Sequence, residues 1–445
     1  MTDTLLSFLL FWAIWLLVPL AIDGTTALAY LVSVWRSERH KLRQRLDLKQ
    51  THFPLVSILI PVHNGAPYLQ KCIESIRLQS YPHEKLEVLV VDNMSNDDSF
   101  EVFREEQTKP FKGNLQWVSI PRRGKAYALN AGIHMTRGEY IANIDCDIRM
   151  HPDAVLNMVK AFTADPELAA ATGSVEILPY NGNDHDPFRH LLAECEFMEY
   201  FTSFHVGRQY QSNVNSLFTL AGAYSMFRRD ILMRTFLYDK RTVSEDTKMT
   251  FDLHKIFSKM KKKCVGEAVV YSEPTPSLSA FYSQRVRWQR GQLEVASLFP
   301  EFVHTPLHFR GLASSKSLVV DHTLAFARAV WTFLLPMLYF LGYSMGMVFT
   351  ANIVMYACYI GVEVAYYSTS LMLADGVVRK RLQRNWWLCA VLPMYRFILF
   401  WFRFGGFISV LTEPAEWKVK DPVIQVREGL HQLRQDLGRW RLLRR

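Results

Sequence analysis

Residues 5–35 form a nearly unbroken apolar run, which is longer than the roughly 20 residues that a helix needs to cross a bilayer. A cleaved signal peptide is disfavoured, because no Lys or Arg precedes the run and the run continues too far. A basic cluster follows from Arg36 to Arg45, and such clusters usually mark the cytoplasmic side of a membrane. We therefore predict a transmembrane segment over residues 1–36 and a basic linker over residues 37–53.

Further apolar segments lie near residues 323–348, 350–374 and 386–411. If all of them crossed the membrane, the Arg-rich tail would end outside, against the positive-inside tendency. The last segment also contains Pro393 and Arg403, so we expect it to be re-entrant or interfacial. The C-terminal part is then divided into an interfacial segment (301–322), membrane helices (323–411) and a basic amphipathic tail (412–445).

Charged residues inside apolar segments are costly and usually face a protein interior or a water-filled path. In this chain they are Arg328, Glu363, Arg396 and Arg403. Pairing between helices and the lining of a polymer channel both stay open as interpretations of these charges.

Between Pro54 and about Pro300, short apolar strands alternate with amphipathic stretches, which is typical of an α/β domain with a mostly parallel sheet. The predicted strands cover residues 56–62, 86–92, 115–120, 140–146 and 168–178. Ligands of such sheets collect at the carboxyl ends of the strands. We assign residues 54–300 to this domain and expect its functional groups at those ends.

The formal net charge of +9 comes mainly from stretches beside the apolar segments. The middle region lacks the stripe of basic and aromatic residues that is typical of a nucleic-acid surface, so we expect no nucleic-acid partner. The six cysteines have neither metal-binding nor disulfide spacing, which indicates a reducing compartment.

Acidic residues follow two of the predicted strands. Asp92 ends the second strand, where an acidic side chain commonly binds a nucleoside, although Asp is also an ordinary turn residue there. The fourth strand ends in Asp145, Cys146 and Asp147, which places both carboxylates on one side of an extended backbone, although Asp-x-Asp is also common in loops. Their oxygens suit Mg²⁺ or Mn²⁺, which would neutralise a leaving nucleoside diphosphate.

Three further groups can carry chemistry, each with a structural alternative. Lys125 follows a glycine turn at the start of a predicted helix, which suits a diphosphate or an ordinary basic turn. Ser244 to Asp246 open another helix, either as a normal N-cap or with Asp246 as a general base. Gln284, Arg287 and Trp288 can share a helix face that binds phosphate and sugar, or that lies on a membrane surface.

Taken in order, these motifs resemble family 2 glycosyltransferases, and most closely the processive membrane synthases of poly-N-acetylglucosamine, hyaluronan, chitin and cellulose. The matching set is Asp92, Lys125 with Asn130, Asp145-Cys146-Asp147, Ala221-Gly222-Ala223 before Arg228-Arg229, Ser244-Glu245-Asp246 and Gln284-Arg285-Val286-Arg287-Trp288. The likeness covers roughly residues 54–300. The chain departs from the family pattern at Asn93, at Ser244 and at Gly65, where the family often has an acidic residue, threonine and glutamate.

The resemblance implies an α/β fold of the GT-A (nucleotide-diphosphosugar transferase) type, inserted between N-terminal and C-terminal transmembrane helices. It implies an inverting hexosyltransferase with Asp246 as the catalytic base. The implied donor-binding residues are Asp92, Lys125, Asp145, Gln284 and Arg287; the implied acceptor-binding residues are Trp288 and Glu245; and the implied metal ligands for Mg²⁺ or Mn²⁺ are Asp145 and Asp147.

The leading hypothesis is a multi-pass enzyme of the plasma membrane with a cytoplasmic catalytic domain. It would move a sugar from UDP-GlcNAc or UDP-glucose onto a growing polysaccharide, and membrane lipid would be one of its partners. Whether transfer is coupled to export, and whether an accessory export subunit takes part, stays open. One alternative is a single transfer to a lipid or polyprenyl-phosphate carrier, which differs in product length. A non-catalytic export or assembly subunit is the other alternative, but no proposed catalytic carboxylate is missing.

Overall fold

The computed structural model describes residues 24–43, 52–181, 186–213, 215–299, 334 and 336–412. The strands are β1 (Val56–Val62), β2 (Leu86–Asp92), β3 (Asn114–Ser119), β4 (Tyr140–Ile144), β5 (Ile148–Met150), β6 (Leu168–Ile177), β7 (Tyr224–Arg228) and β8 (Lys261–Ser272). The α-helices are α1 (Thr25–Arg43), α2 (Ala66–Arg77), α3 (Ser99–Thr108), α4 (Lys125–Met135), α5 (Ala154–Ala164), α6 (Pro187–Tyr200), α7 (Arg208–Asn213), α8 (Arg229–Leu232), α9 (Glu245–Ile256), α10 (Leu278–Leu298), α11 (Met345–Leu373), α12 (Gly376–Arg384) and α13 (Leu392–Thr412). A π-helical segment, Phe201–Gly207, joins α6 to α7, and short 3₁₀ helices cover His83–Lys85, Leu338–Leu341 and Trp386–Ala390.

Within these ranges the strands form one sheet in the order β3-β2-β1-β4-β7-β6-β8-β5. Strands β3, β2, β1 and β4 are parallel, as are β6 and β8. Strand β7 runs antiparallel to both β4 and β6, and β5 runs antiparallel to β8. The sheet is therefore mixed rather than mostly parallel. The difference arises because β5, β7 and β8 were not among the predicted strands.

The central strands owe their apolar sequences to burial on both faces, which is usual where helices cover a parallel sheet. Every residue of β1 is buried, and its side chains alternate between two cores. Ile58 and Ile60 pack with helices α2, α3 and α5, whereas Leu59 packs with α4 and α9. The predicted ends of β1 and β2 are confirmed, and β4 ends at Ile144, directly before the acidic pair.

Most of the predicted N-terminal span lies outside the described residues. Residues 25–35 belong to helix α1, which continues to Arg43, so the predicted boundary at residue 36 falls inside a helix. Helix α11 is the one helix in the described part that is long and apolar enough to cross a membrane. It begins at Met345, so residues 345–348 belong to this helix and not to the predicted segment 323–348. Residues 301–333 and 413–445 also lie outside the described residues.

Helix α13 packs directly on α10, which carries the Gln284–Trp288 motif. Two glycines allow this approach: a Cβ on Gly405 would lie 2.9 Å from Tyr282 Oη, and one on Gly406 would lie 2.9 Å from Val286 O. The predicted re-entrant or interfacial segment is thus attached to the α/β domain through α10. Glu363 of α11 forms an ion pair with Arg396 of α13, which favours helix pairing for these two charges.

Candidate active site

Three elements bring charged side chains together at the carboxyl end of β4. Asp145 follows that strand, Lys125 begins α4, and Glu245 begins α9. Lys125 Nζ lies 2.5 Å from Asp145 Oδ1 and 3.4 Å from Glu245 Oε1. The structure thus brings together residues that are separated by more than a hundred positions in the sequence.

Gly222 lies at the centre of this group. Its carbonyl accepts a hydrogen bond of 2.9 Å from Asn143 Nδ2, and its N–H donates to Asp246 Oδ2 at 3.1 Å. A Cβ at this position would lie 3.0 Å from Lys125 Nζ and 3.8 Å from Asp145 Oδ2. A side chain at this position would therefore press on the end of the Lys125 side chain, a close approach that its place in a motif did not reveal.

Asp246 is held by main-chain donors in the first turn of α9. Besides the bond from Gly222, its Oδ1 accepts a hydrogen bond of 2.7 Å from the Thr247 N–H. Ser244 occupies the N-cap position, but its side chain forms no capping hydrogen bond. The interpretation of Ser244 as an ordinary capping residue is therefore wrong, because its hydroxyl packs against Gly291 of α10 instead.

The contact between Ser244 and Gly291 yields a first prediction. A Cβ on Gly291 would lie only 2.0 Å from Ser244 Oγ and 2.7 Å from Ser244 Cβ, so Gly291→Ala must displace α9 or α10. Since small misplacements at a reacting centre can reduce rates by about 100-fold, we expect a loss of that order in sugar transfer. Gly361→Ala, which has no atom within 4 Å of the added Cβ, is the control. Equal activity of the two variants in a UDP-release assay would contradict the close contact.

The acidic residues at this site are only partly balanced by cations. Burial and the neighbouring Asp145 carboxylate raise the pKa of Asp147 to about 6. Burial lowers the pKa of Lys125, but the charges of Asp145 and Glu245 raise it above its usual value on balance. Burial lowers the pKa of Arg287, against the charges of Glu245 and Asp145. Asp147 and Arg287 therefore interact with the same group of charges as Lys125 and Glu245.

The acidic pair fits a divalent cation that shares its coordination with a substrate. Among the described residues, no group of three or more His, Cys, Asp or Glu side chains could hold a metal ion by itself. Mg²⁺ is commonly held by one or two carboxylates, with substrate phosphates and water as the other ligands. Asp145 and Asp147 have the donor atoms and the excess negative charge for such an ion.

Asp92 lies on the same edge of the sheet, paired in register with Val62 of β1 and Ser119 of β3. Its Oδ1 accepts a hydrogen bond of 3.0 Å from the Ser95 N–H, as in the turn that was the alternative interpretation. Its role toward a nucleoside stays a prediction. The next residue, Asn93, accepts a hydrogen bond of 2.6 Å from the N–H of Gly124, which ties the loop after β2 to the turn before α4.

The side chains of the Gln284–Trp288 motif on α10 lie in different surroundings. Gln284 Oε1 is buried and has no hydrogen-bond partner among the described residues. Trp288 packs against Tyr200 and Phe204, with ring centroids 6.1 and 5.8 Å away. Arg285 instead forms a buried ion pair of 2.8 Å with Glu199. The Arg285–Glu199 ion pair connects α10 to α6, and the sequence alone did not predict it.

The α/β domain is similar to a known protein family and to named proteins. The model of glycosyl transferase family 2 matches residues 57–236. A poly-β-1,6-N-acetyl-D-glucosamine synthase of Staphylococcus epidermidis is 26% identical over 243 residues, which cover 54% of this chain and 55% of that protein. Its counterpart in Staphylococcus aureus (strain COL) is 23% identical over 263 residues, or 58% of this chain and 60% of that protein. The matches thus span little more than half the length of these relatives.

Among solved structures, a mannosyltransferase from Pyrobaculum calidifontis in complex with GDP-Man and Mn²⁺ has a similar fold. The TM-score is 0.53 at 19% sequence identity, and the match covers 89% of this chain and 99% of the mannosyltransferase. This likeness, together with the family match, confirms the predicted α/β fold of the GT-A type.

Proposed function

We propose that the chain is a membrane-embedded inverting enzyme that adds N-acetylglucosamine from UDP-GlcNAc to a growing polysaccharide, since its residues 57–236 match the model of glycosyl transferase family 2. The observation that carries the proposal is the convergence of Lys125, Asp145 and Asp246 around Gly222. The names of the staphylococcal relatives support UDP-GlcNAc over UDP-glucose. The apolar helix α11 supports attachment to a membrane.

On the donor side, cations and an amide surround the proposed diphosphate position. Lys125 and Arg287 would bind its oxygens, because both lie in the field of the same carboxylates. Gln284 Nε2 would donate a hydrogen bond to the diphosphate, and its unpartnered Oε1 would accept one from a hydroxyl of UDP-GlcNAc. Asp92 would bind the nucleoside. Asp145 and Asp147 would hold Mg²⁺ or Mn²⁺, which supplies positive charge for the departing UDP.

On the acceptor side, Asp246 would act as the general base. Its carboxylate is oriented by the N–H groups of Gly222 and Thr247, so it needs no side-chain rearrangement to accept a proton. The acceptor hydroxyl would lose its proton to Asp246 as its oxygen bonds to the anomeric carbon and UDP leaves from the opposite face. Trp288 and its aromatic neighbours would bind the acceptor sugar, and Glu245 would orient Lys125 beside it.

The proposal is tested with purified protein in nanodiscs that is supplied with UDP-GlcNAc or UDP-glucose and with Mg²⁺, Mn²⁺ or a chelator. We expect metal-dependent UDP release with UDP-GlcNAc and a product of many sugar units. Addition of one sugar to a lipid carrier would instead support the single-transfer alternative. The absence of UDP release with any donor would favour a non-catalytic assembly subunit.

The buried amide of Gln284 yields a second prediction. Gln284→Leu removes both hydrogen-bonding ends at nearly constant volume, so we expect the dissociation constant of UDP to rise about 10-fold, as for one lost hydrogen bond to a charged group. Isothermal titration calorimetry measures this change directly. Gln70→Leu on the exposed side of α2 is the matched control and should leave UDP affinity unchanged. Unchanged affinity in Gln284→Leu would remove this residue from the donor site.

A further inference from the structure

Arg208 is a buried arginine whose charge is not matched by a bonded carboxylate of the residues that the structure describes. It begins α7, and only 6% of its surface is exposed. Its guanidinium lies 4.3 Å from the centroid of the Phe204 ring, and its Nη1 has no hydrogen-bond partner in the part of the chain that the structure describes. Burial of an unsatisfied cationic donor is strongly unfavourable, so a bound group is the natural partner for it.

Other buried arginines of the described chain are paired with carboxylates. Arg285 bonds to Glu199 at 2.8 Å, and Arg381 bonds to Glu194 at 3.0 Å. These ion pairs connect helices, and the carboxylates compensate for the burial of both arginine charges. Arg285 also buries two unpartnered nitrogens, Nε and Nη1, but its charge is matched by Glu199. Arg208 differs because its guanidinium is bonded to no carboxylate of the described residues.

The position of Arg208 relates it to the acceptor side of the candidate site. Phe204, on which it stacks, also packs edge-on against Trp288 at 5.8 Å. Burial lowers the pKa of Arg208, and the charge of Asp246 is among those that oppose this shift. Arg208 therefore lies beside the aromatic wall that would bind the acceptor sugar, and the charge of the proposed base acts on its guanidinium.

We propose that Arg208 is an acceptor-binding residue whose guanidinium donates a hydrogen bond to the N-acetyl carbonyl oxygen of the sugar at the growing end of the polysaccharide. The inference rests on the proposed function. A neutral carbonyl fits this place better than a phosphate, because a phosphate would bring further negative charge toward Asp246. The amide oxygen supplies the missing acceptor without that repulsion.

The test compares two acceptors, an N-acetylglucosamine oligosaccharide and its de-N-acetylated counterpart, each elongated from UDP-GlcNAc. In the unmodified protein we expect a KM about 10-fold lower for the acetylated acceptor, as for one hydrogen bond to a charged donor. In Arg208→Met this preference should disappear, because the KM for the acetylated acceptor rises while the dissociation constant of UDP-GlcNAc stays unchanged. Arg234→Met, which removes an exposed arginine stacked on Phe257, should keep the preference.

Several results would overturn the inference. Equal KM values for the two acceptors in the unmodified protein would do so without any variant. A preserved preference in Arg208→Met, or a parallel loss of donor affinity, would assign Arg208 a structural role. If Arg208→Met does not fold, Arg208→Lys keeps the charge but loses the planar fork, and the same comparison applies. If neither acceptor is elongated, the proposed function fails and the inference fails with it.

Discussion

Asp246→Asn is expected to reduce the rate of sugar transfer by about 100- to 10,000-fold, which is the range that general acid–base catalysis supplies. The amide cannot take the proton of the acceptor hydroxyl, although it still offers an oxygen to one of the two main-chain donors that hold the carboxylate. The fold and the donor site should therefore persist. Initial rates of UDP release and polymer formation, together with the dissociation constant of UDP-GlcNAc, measure the effect.

The control for this prediction is Asp230→Asn, which changes an exposed acidic residue on α8 and should leave the rate unchanged. Glu245→Gln separates the two adjacent carboxylates. Glu245 lies 3.4 Å from Lys125 Nζ, so its loss should weaken the charge network without removing the base. A larger rate loss in Glu245→Gln than in Asp246→Asn would transfer the role of base to Glu245.

Arg381→Met should produce the largest loss of stability, about 3–5 kcal/mol in the free energy of unfolding, as expected when one partner of a buried ion pair is removed. Arg381 of α12 makes two bonds of 3.0 Å to Glu194 of α6 and donates to the carbonyl of Ile177. It also lies 3.8 Å from the centroid of the Phe197 ring. The variant leaves the Glu194 carboxylate buried without its cation.

This loss is measured from unfolding curves in the same nanodisc preparation for each variant. Glu167→Gln provides the matched control, because it breaks an exposed ion pair with Lys261, and such pairs contribute about 0–1 kcal/mol. Comparable losses in both variants would contradict a structural role for the buried pair. We also expect reduced transfer by Arg381→Met, since α6 leads into Tyr200 and the aromatic wall at Trp288.

Local patterns in the sequence were sufficient for the central strands and for the order of the motif residues. Strands β1 and β2 were predicted with their ends, because continuous apolar runs are what a sheet buried on both faces requires. The placement of Lys125 and Asp145 at one edge followed from the rule that functional groups collect at the carboxyl ends of parallel strands. Asp246 follows no predicted strand, and only the structure brings it to the same edge. The helix that carries Gln284 and Trp288 was also predicted from its sequence.

Other features depend on contacts between residues far apart in the chain, which local periodicity does not encode. The direction of β7 follows from its pairing with both β4 and β6, and a strand of five residues shows no sign of that choice by itself. Gly291 is a glycine because α9 brings Ser244 against it. Arg285 of α10 forms its ion pair with the buried Glu199 of α6. Local sequence patterns were enough for the central strands and for the order of the motif residues. Which of those residues meet depends on the tertiary structure, since packing and charge pairing join elements that lie far apart in the chain.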